Sequence, residues 1–307
     1  MKIAIGVDIG GSHITSAGIN LETYTLIPET YYSSAINNKA SKEVILEGWA
    51  TILNKTVFNI RDQEILGIGC AIPGPFEYKL GIALYEGNDK YESLYGTSIT
   101  EVLPKYLTNS EIPLRFLNDA SAFGVGGTLL GSTKNKKKVI AITLGTGFGA
   151  SFISDYLPLT QGVGVPEDGC LWNEPFLNGI ADEYFSTRWF VSSYESKSGK
   201  TFKGGVKEMM ERKDEHIVSI FKEFSHNFCV FMFSYIKDFD AELIIIGGNI
   251  AKSHSLFLNQ IIKNWEEMGL NIPISIINKT DEASIVGSAY LFDNIFWREI
   301  KNKLPNV

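Results

Sequence analysis

A strand, a glycine turn and a second strand occur twice in this chain, and that repeat limits the folds open to it. Near the start, Ile3–Asp8 runs into Gly10-Gly11 and leaves through His13–Asn20. Later, Val139–Leu144 runs into Gly145-Thr146-Gly147 and leaves through Gly149–Ser154. Two short apolar strands joined by a tight turn make a hairpin, whereas a βαβ opening would show a helical period after the glycines. One recurrence in a chain of 307 residues reads as two related halves. No low-complexity linker lies between them, so the halves are expected to pack together with a cleft between them.

The remaining periodicity fills out an α/β chain. Apolar residues at Val44, Leu46, Trp49, Leu53 and Val57 predict a helix over Ala40–Val57, and further helices are expected at Ser98–Leu107, Ile180–Tyr194, Lys207–Met210, His216–Phe239 and Ala283–Phe296. Ala120–Leu130 is small and helix-compatible, although its glycines lower the propensity. Short apolar strands are expected at Ile65–Ala71, ended by Pro73-Gly74-Pro75, at Leu114–Leu117 and at Leu243–Ile246.

Composition excludes several classes. With 28 basic and 35 acidic residues the net charge is −7, so nucleic acid is not the expected partner. The one basic run, Lys134–Lys138, is expected to be a solvated loop. Three scattered cysteines give no disulfide framework and suggest a reducing compartment. The longest apolar runs fall well short of the roughly 20 residues that span a bilayer. The chain enters its first strand at once, with no secretory leader, so a soluble cytoplasmic protein is expected.

Four short segments could carry chemistry. Asp8-Ile9-Gly10-Gly11-Ser12 sits at a hairpin tip, where glycines let backbone N–H groups approach a phosphate and the carboxylate could hold hydrated Mg²⁺. An ordinary turn that needs glycine would look the same. Leu144-Gly145-Thr146-Gly147-Phe148-Gly149 is the second tip; a strand follows it, which excludes a Rossmann fingerprint, and Tyr194 stands where a Walker A loop ending in Gly199-Lys200-Thr201 needs glycine. Asn118-Asp119 joins a short strand to a small-residue helix, a place for a general base and equally for a helix N-cap. Gly247-Gly248-Asn249 follows the last apolar strand and suits either a flat nucleoside or a plain strand-to-helix turn.

Together these residues resemble the ROK family of sugar kinases, within the actin-like and hexokinase-like ATPase superfamily. GVDIGGSHITSAGI (Gly6–Ile19) resembles its first phosphate motif, GIGCAIPGPFE (Gly67–Glu77) its GIGxPGP segment, and LNDASAFGVGG (Leu117–Gly127) the stretch carrying the catalytic aspartate. ITLGTGFGASFI (Ile142–Ile153) resembles the second phosphate motif and LIIIGGNIAKS (Leu243–Ser253) the adenosine segment. The resemblance implies two actin-like (ribonuclease H-like) ATPase domains: residues 1–118, completed by a C-terminal helix at 283–300, and residues 119–282.

It further implies a glucokinase-like, ATP-dependent kinase acting on a hexose or N-acetylhexosamine hydroxyl, and a homodimer. Asp119 is the implied base, with Gly74, Asn88, Asn118, Glu167 and Asp182 on the sugar. Asp8, Gly10, Gly11, Ser12, Gly145, Thr146, Gly147, Gly247, Gly248 and Asn249 are implied on ATP, and Asp8 on Mg²⁺ through water. The departures fall at the sugar site. Pro166-Glu167-Asp168-Gly169-Cys170 puts Cys170 where the family has histidine, and Asp182 stands where it has glutamate. Only Cys170 lies between residues 155 and 200, so the family's zinc cluster cannot be assembled and no structural zinc is expected. These departures keep a second expectation open: a catalytically weak sugar-binding or regulatory relative without the helix-turn-helix of the family's repressors.

Overall fold

The computed structural model describes residues 1–60, 63–87, 90–131, 136–212 and 214–305. Its first half holds strands β1 (Ile3–Ile9), β2 (His13–Asn20), β3 (Thr25–Leu26) and β4 (Tyr32–Ala35), helix α1 (Lys42–Ile60), strand β5 (Ile65–Ile72), and a small ribbon of β6 (Phe76–Glu77) and β7 (Ile82–Ala83). Helix α2 (Ile99–Val102), strand β8 (Leu114–Asn118) and helix α3 (Asp119–Leu129) follow. The second half holds β9 (Lys138–Leu144), β10 (Phe148–Ser154), β11 (Leu157–Leu159), a ribbon of β12 (Pro175–Phe176) and β13 (Gly179–Ile180), then α4 (Ala181–Phe185), α5 (Thr187–Ser198), α6 (Val206–Glu211) and α7 (Glu215–Phe239). Strand β14 (Leu243–Gly247), helix α8 (Leu258–Glu267), strand β15 (Ile274–Ile276) and helices α9 (Thr280–Ala289) and α10 (Asn294–Ile300) complete it.

The strands form two sheets of one design. The first runs β3-β2-β1-β5-β8, with β4 also on β2; the second runs β11-β10-β9-β14-β15. In each, an antiparallel hairpin is followed by two strands parallel to its first member. β14 throughout and β1 as far as Val7 are apolar because both faces are covered, as parallel strands require. Helix α1 covers the outer face of the first sheet, and α5, α7 and α8 the outer face of the second.

A third core, shared by α3, α9 and strands of both sheets, fills the space between. Side chains are nearly absent at its closest contacts. A Cβ on Gly6 would lie 1.9 Å from the Ile285 carbonyl oxygen, and one on Gly126 would lie 1.8 Å from that of Ala283. Ser288 on α9 also bonds the Val7 amide of β1 through its hydroxyl at 3.1 Å.

Three expected helices are broken. Pro104 has no N–H to give, so Ser98–Leu107 becomes α2 and a 3-10 turn over Leu103–Tyr106. Ile180–Tyr194 is divided at Ser186, whose backbone is extended (φ −103, ψ 167) between α4 and α5. Ala283–Phe296 is interrupted after Ala289, and Asp293 restarts α10 by accepting the Ile295 and Phe296 amides at 2.9 Å. Lys138 of the basic run opens β9, while Lys134 and Asn135 lie outside the described residues. No helix among the described residues is long and apolar enough to cross a membrane.

Candidate active site

The first hairpin tip is held through its carbonyls. The Tyr91 hydroxyl donates to the Gly10 oxygen at 2.6 Å, and the Asn38 amide donates to the Gly11 oxygen. Gly10 N–H closes the turn onto the His13 carbonyl at 2.9 Å. A Cβ on Gly11 would meet nothing within 4 Å, so a ligand can approach the backbone there. Ser12 is exposed beside it. Asp8, on β1 just before the tip, has its carboxyl pushed up to about 8, first by burial and then by the negative charges of Asp119 and Asp281.

The second tip is held from the other side by the junction of α4 and α5. Thr187 donates to the Gly145 carbonyl from its amide at 2.8 Å and from its hydroxyl at 2.7 Å. The Phe148 amide donates to Asp182 at 2.7 Å, and Arg188 pairs with the other oxygen of that carboxylate. A Cβ on Gly145 would meet nothing within 4 Å, and Thr146 and Gly147 are exposed. Gly248 lies against the root of this hairpin: its φ is +94, and a Cβ on it would stand 2.2 Å from the Leu144 carbonyl oxygen. Its amide donates to the Thr280 hydroxyl at 2.7 Å, while neighbouring Asn249 is exposed and accepts from Lys252 at 2.9 Å.

The end of β8 brings the Asp119 carboxylate close enough to Asp8 to raise its pKa. Asn118 is the N-cap of α3, its side-chain oxygen accepting the Ala120 and Ser121 amides at 3.0 and 3.2 Å. The two readings of Asn118-Asp119 are thereby divided between two residues, because the cap is Asn118 and Asp119 is the first helical residue. Asp119 also accepts its neighbour's Ala120 amide at 2.9 Å. Burial raises its pKa, and the nearby Lys90 ammonium opposes that rise. Tyr78 is 1% exposed, donates to the Ile72 carbonyl at 3.1 Å and receives the Asn118 amide at 3.2 Å. Burial pushes its phenol well above the usual range, with Asp119 and Cys170 adding to the rise.

The remaining expected residues are more scattered. Gly74 precedes a cis proline, Pro75, in the turn after β5, and Tyr85 braces that turn by donating to the Pro73 carbonyl at 2.9 Å. Asn88 lies outside the described residues. Glu167 is exposed in a one-turn 3-10 helix, and the Cys170 thiol reaches back to its carbonyl at 3.5 Å. Burial, helped by Asp168 and Glu174, pushes that thiol up to about 11.

Asn38, Tyr78, Tyr91, Thr187 and Arg188, which sequence reasoning did not single out, brace these segments. The aromatic run Phe76, Tyr78, Tyr85 and Tyr91, in a stretch with little regular structure, was the available signal.

Among the described residues, no three His, Cys, Asp or Glu side chains group as metal ligands. Mg²⁺ needs less, since it keeps most of its waters and takes one or two carboxylates. A partly buried Asp8 whose charge is opposed by two further carboxylates suits such a cation.

The chain is similar to proteins of known sequence and structure. The chain is 24% identical over 281 residues to a glucokinase of Thermotoga maritima, covering 84% of this chain and 85% of that one. It is 20% identical over 269 residues to a xylose repressor of Bacillus subtilis, covering 84% of this chain and 67% of that one. A ROK family glucokinase of Streptomyces griseus, solved with glucose and AMPPNP, superposes with a TM-score of 0.71 at 20% identity, over 94% of this chain and 98% of that one. The fold is therefore α/β, two actin-like ATPase domains with a cleft between them. The ROK family model matches residues 4–295, and the chain belongs to that family.

Proposed function

We propose that the protein is a cytoplasmic, dimeric, ATP-dependent sugar kinase that phosphorylates a hydroxyl of a hexose or N-acetylhexosamine, with Asp119 as general base. The observation that carries this reading is the division of labour at the end of β8: Asn118 takes the helix cap, and the Asp119 carboxylate is left close enough to Asp8 to raise its pKa. Phosphoryl transfer demands mainly positioning and charge neutralisation. Asp119 accepts the proton of the attacking hydroxyl, and burial strengthens it as a base. Asn118, Glu167 and Gly74 orient the sugar. Gly10, Gly11, Ser12, Gly145, Thr146 and Gly147 receive the phosphates, and Gly247, Gly248 and Asn249 the nucleoside. Asp8 would hold Mg²⁺ through water, which when bound neutralises phosphate charge. Closure of residues 1–118 with 283–300 against residues 119–282 excludes water as a competing nucleophile.

The test is coupled ADP release with Mg·ATP across glucose, fructose, mannose, N-acetylglucosamine and N-acetylmannosamine. Turnover on one sugar that disappears in Asp119→Asn is the expected result. A sugar-binding protein with weak or no turnover is the second reading. It is favoured by Cys170 at the family's histidine position and by the likeness to a xylose repressor. Silence across the panel, with a sugar still raising the melting temperature, would select it.

A further inference from the structure

Asp182 occupies the position from which the resemblance assigns a sugar ligand, yet its side chain faces a different task. One oxygen accepts the Phe148 amide at 2.7 Å, and the other pairs with Arg188. A Cβ on Gly147 would lie 3.0 Å from the first oxygen, so the carboxylate rests against the tip of the second glycine hairpin. Only 15% of the Asp182 side chain is exposed, against 72% for Arg188, so the buried end of the pair is the one that touches the hairpin. Five residues on, Thr187 holds the opposite strand of the same tip through two bonds to the Gly145 carbonyl. The α4–α5 junction thus grips both sides of a single turn. Its own backbone is tied down as well, since the Asp182 amide donates to the Trp172 carbonyl at 2.9 Å.

We infer that Asp182 is a positioning residue of the phosphate-donor side, fixing the second glycine hairpin through the Phe148 amide, with Arg188 holding the carboxylate to that task. The inference rests on the kinase reading and reassigns one residue within it from acceptor to donor. Charge-assisted bonds to an amide are stronger and shorter than neutral ones, so this one sets where the Thr146 and Gly147 backbone stands when phosphate arrives. Arg188 also cancels a negative charge that would otherwise face an incoming polyphosphate. The sugar is then left to Asn118, Glu167 and the Cys170 side of the cleft.

The experiment measures binding without turnover. Wild type, Asp182→Asn, Asp182→Ala and Thr187→Val are titrated with a non-hydrolysable Mg·ATP analogue and, separately, with glucose and N-acetylmannosamine. Native-state hydrogen exchange of the Phe148 amide is followed in parallel. The expected result is nucleotide binding about tenfold weaker in the Asp182 variants and severalfold weaker in Thr187→Val, faster Phe148 exchange in the Asp182 variants, and sugar affinities within about twofold of wild type. Tenfold weaker sugar binding in Asp182→Asn, or unchanged nucleotide binding in the variants, overturns the inference alone. Failure of wild type itself to bind the analogue would sink the kinase reading and this inference together. Thr187→Val and Asp182→Asn keep the test decisive where Asp182→Ala does not fold.

Discussion

The two glycine-tipped hairpins share one topology and differ in chemistry. Ile9 pairs with Ile14 to close the first, and Leu144 pairs with Phe148 to close the second. One residue back from each closing pair stands Asp8 in the first half and Thr143 in the second. The strands that end each sheet show the same contrast: β8 runs directly into α3 through Asn118-Asp119, whereas β15 reaches α9 by way of Lys279, with Asp281 inside the first turn of the helix. Asp281 accepts the Tyr31 hydroxyl at 2.7 Å, whereas Asp119 accepts the backbone amide of Ala120 at 2.9 Å. The duplicated architecture therefore supplies geometry twice, while a carboxylate one residue back from the closing pair stands on the first hairpin alone. Both tips are braced, the first by Tyr91 and Asn38 and the second by Asp182 and Thr187, so that among these residues an ionised group enters the bracing of the second alone.

The largest expected effect comes from the helix starts. Asp119→Asn should lower turnover on the preferred sugar by about a thousandfold, within the range for removing a general base, while Asp281→Asn should cost less than about tenfold. Comparable losses in the coupled assay would mean that the halves share the chemistry after all. Next, Asp8→Thr writes the second half's residue into the first. Turnover should fall by about a hundredfold, and the melting temperature should rise, because a carboxyl held against its own charge is removed. A lower melting temperature would show that Asp8 stabilises the fold.

The cysteines sharpen the contrast by pH. Cys70, buried in β5 of the first half, has its thiol raised to about 12, and Cys170 in the second half to about 11. Only the thiolate reacts, so alkylation of native Cys170 should be slow at pH 7 and quicken about tenfold per pH unit as pH rises towards 11. Cys70 should remain protected until the protein unfolds. Mass spectrometry of iodoacetamide adducts reads both, and fast labelling of Cys170 at neutral pH would contradict the burial and neighbouring carboxylates that raise its thiol. The smallest effect is Tyr91→Phe, which removes the bond to the Gly10 carbonyl. It should weaken Mg·ATP binding about fivefold, equivalent to about 1 kcal/mol.

The sequence carried the parts of this site that depend on backbone. β2 spans His13–Asn20 as expected, and the two tips, the end of β8 and the Gly247-Gly248 turn are each marked by glycine or by Asn-Asp beside a short apolar run. Interruptions inside helices were harder to read. Ser186 and Asp293 turn the chain without a glycine or proline at the break, and apolar spacing passes through both unbroken. The braces were invisible for another reason. Asn38 and Gly11, Tyr91 and Gly10, and Asp182 and Phe148 meet only after folding, and nothing in one sequence records such a pairing. The resemblance placed Asp182 in the cleft, but its partners could be read only from the structure.

The backbone-to-backbone seat of α9 on β1, β5 and α3 limits which side chains this protein can carry. At Gly6, Gly69, Gly126 and Gly287 even a methyl group would collide with a carbonyl oxygen at 1.8–1.9 Å, so these positions admit no gradual change. The segment between β11 and α4, which carries Glu167, Cys170 and Asp182's tether at Trp172, contributes little to that seat. The segment's own glycines are held as closely: a Cβ on Gly164 would stand 2.2 Å from the Phe239 amide nitrogen and one on Gly169 2.0 Å from the Leu159 carbonyl oxygen, each at positive φ. Two separate backbone seats therefore limit this chain to glycine, one under α9 and one beside Cys170, and side-chain change at Glu167 or Cys170 has to leave both intact.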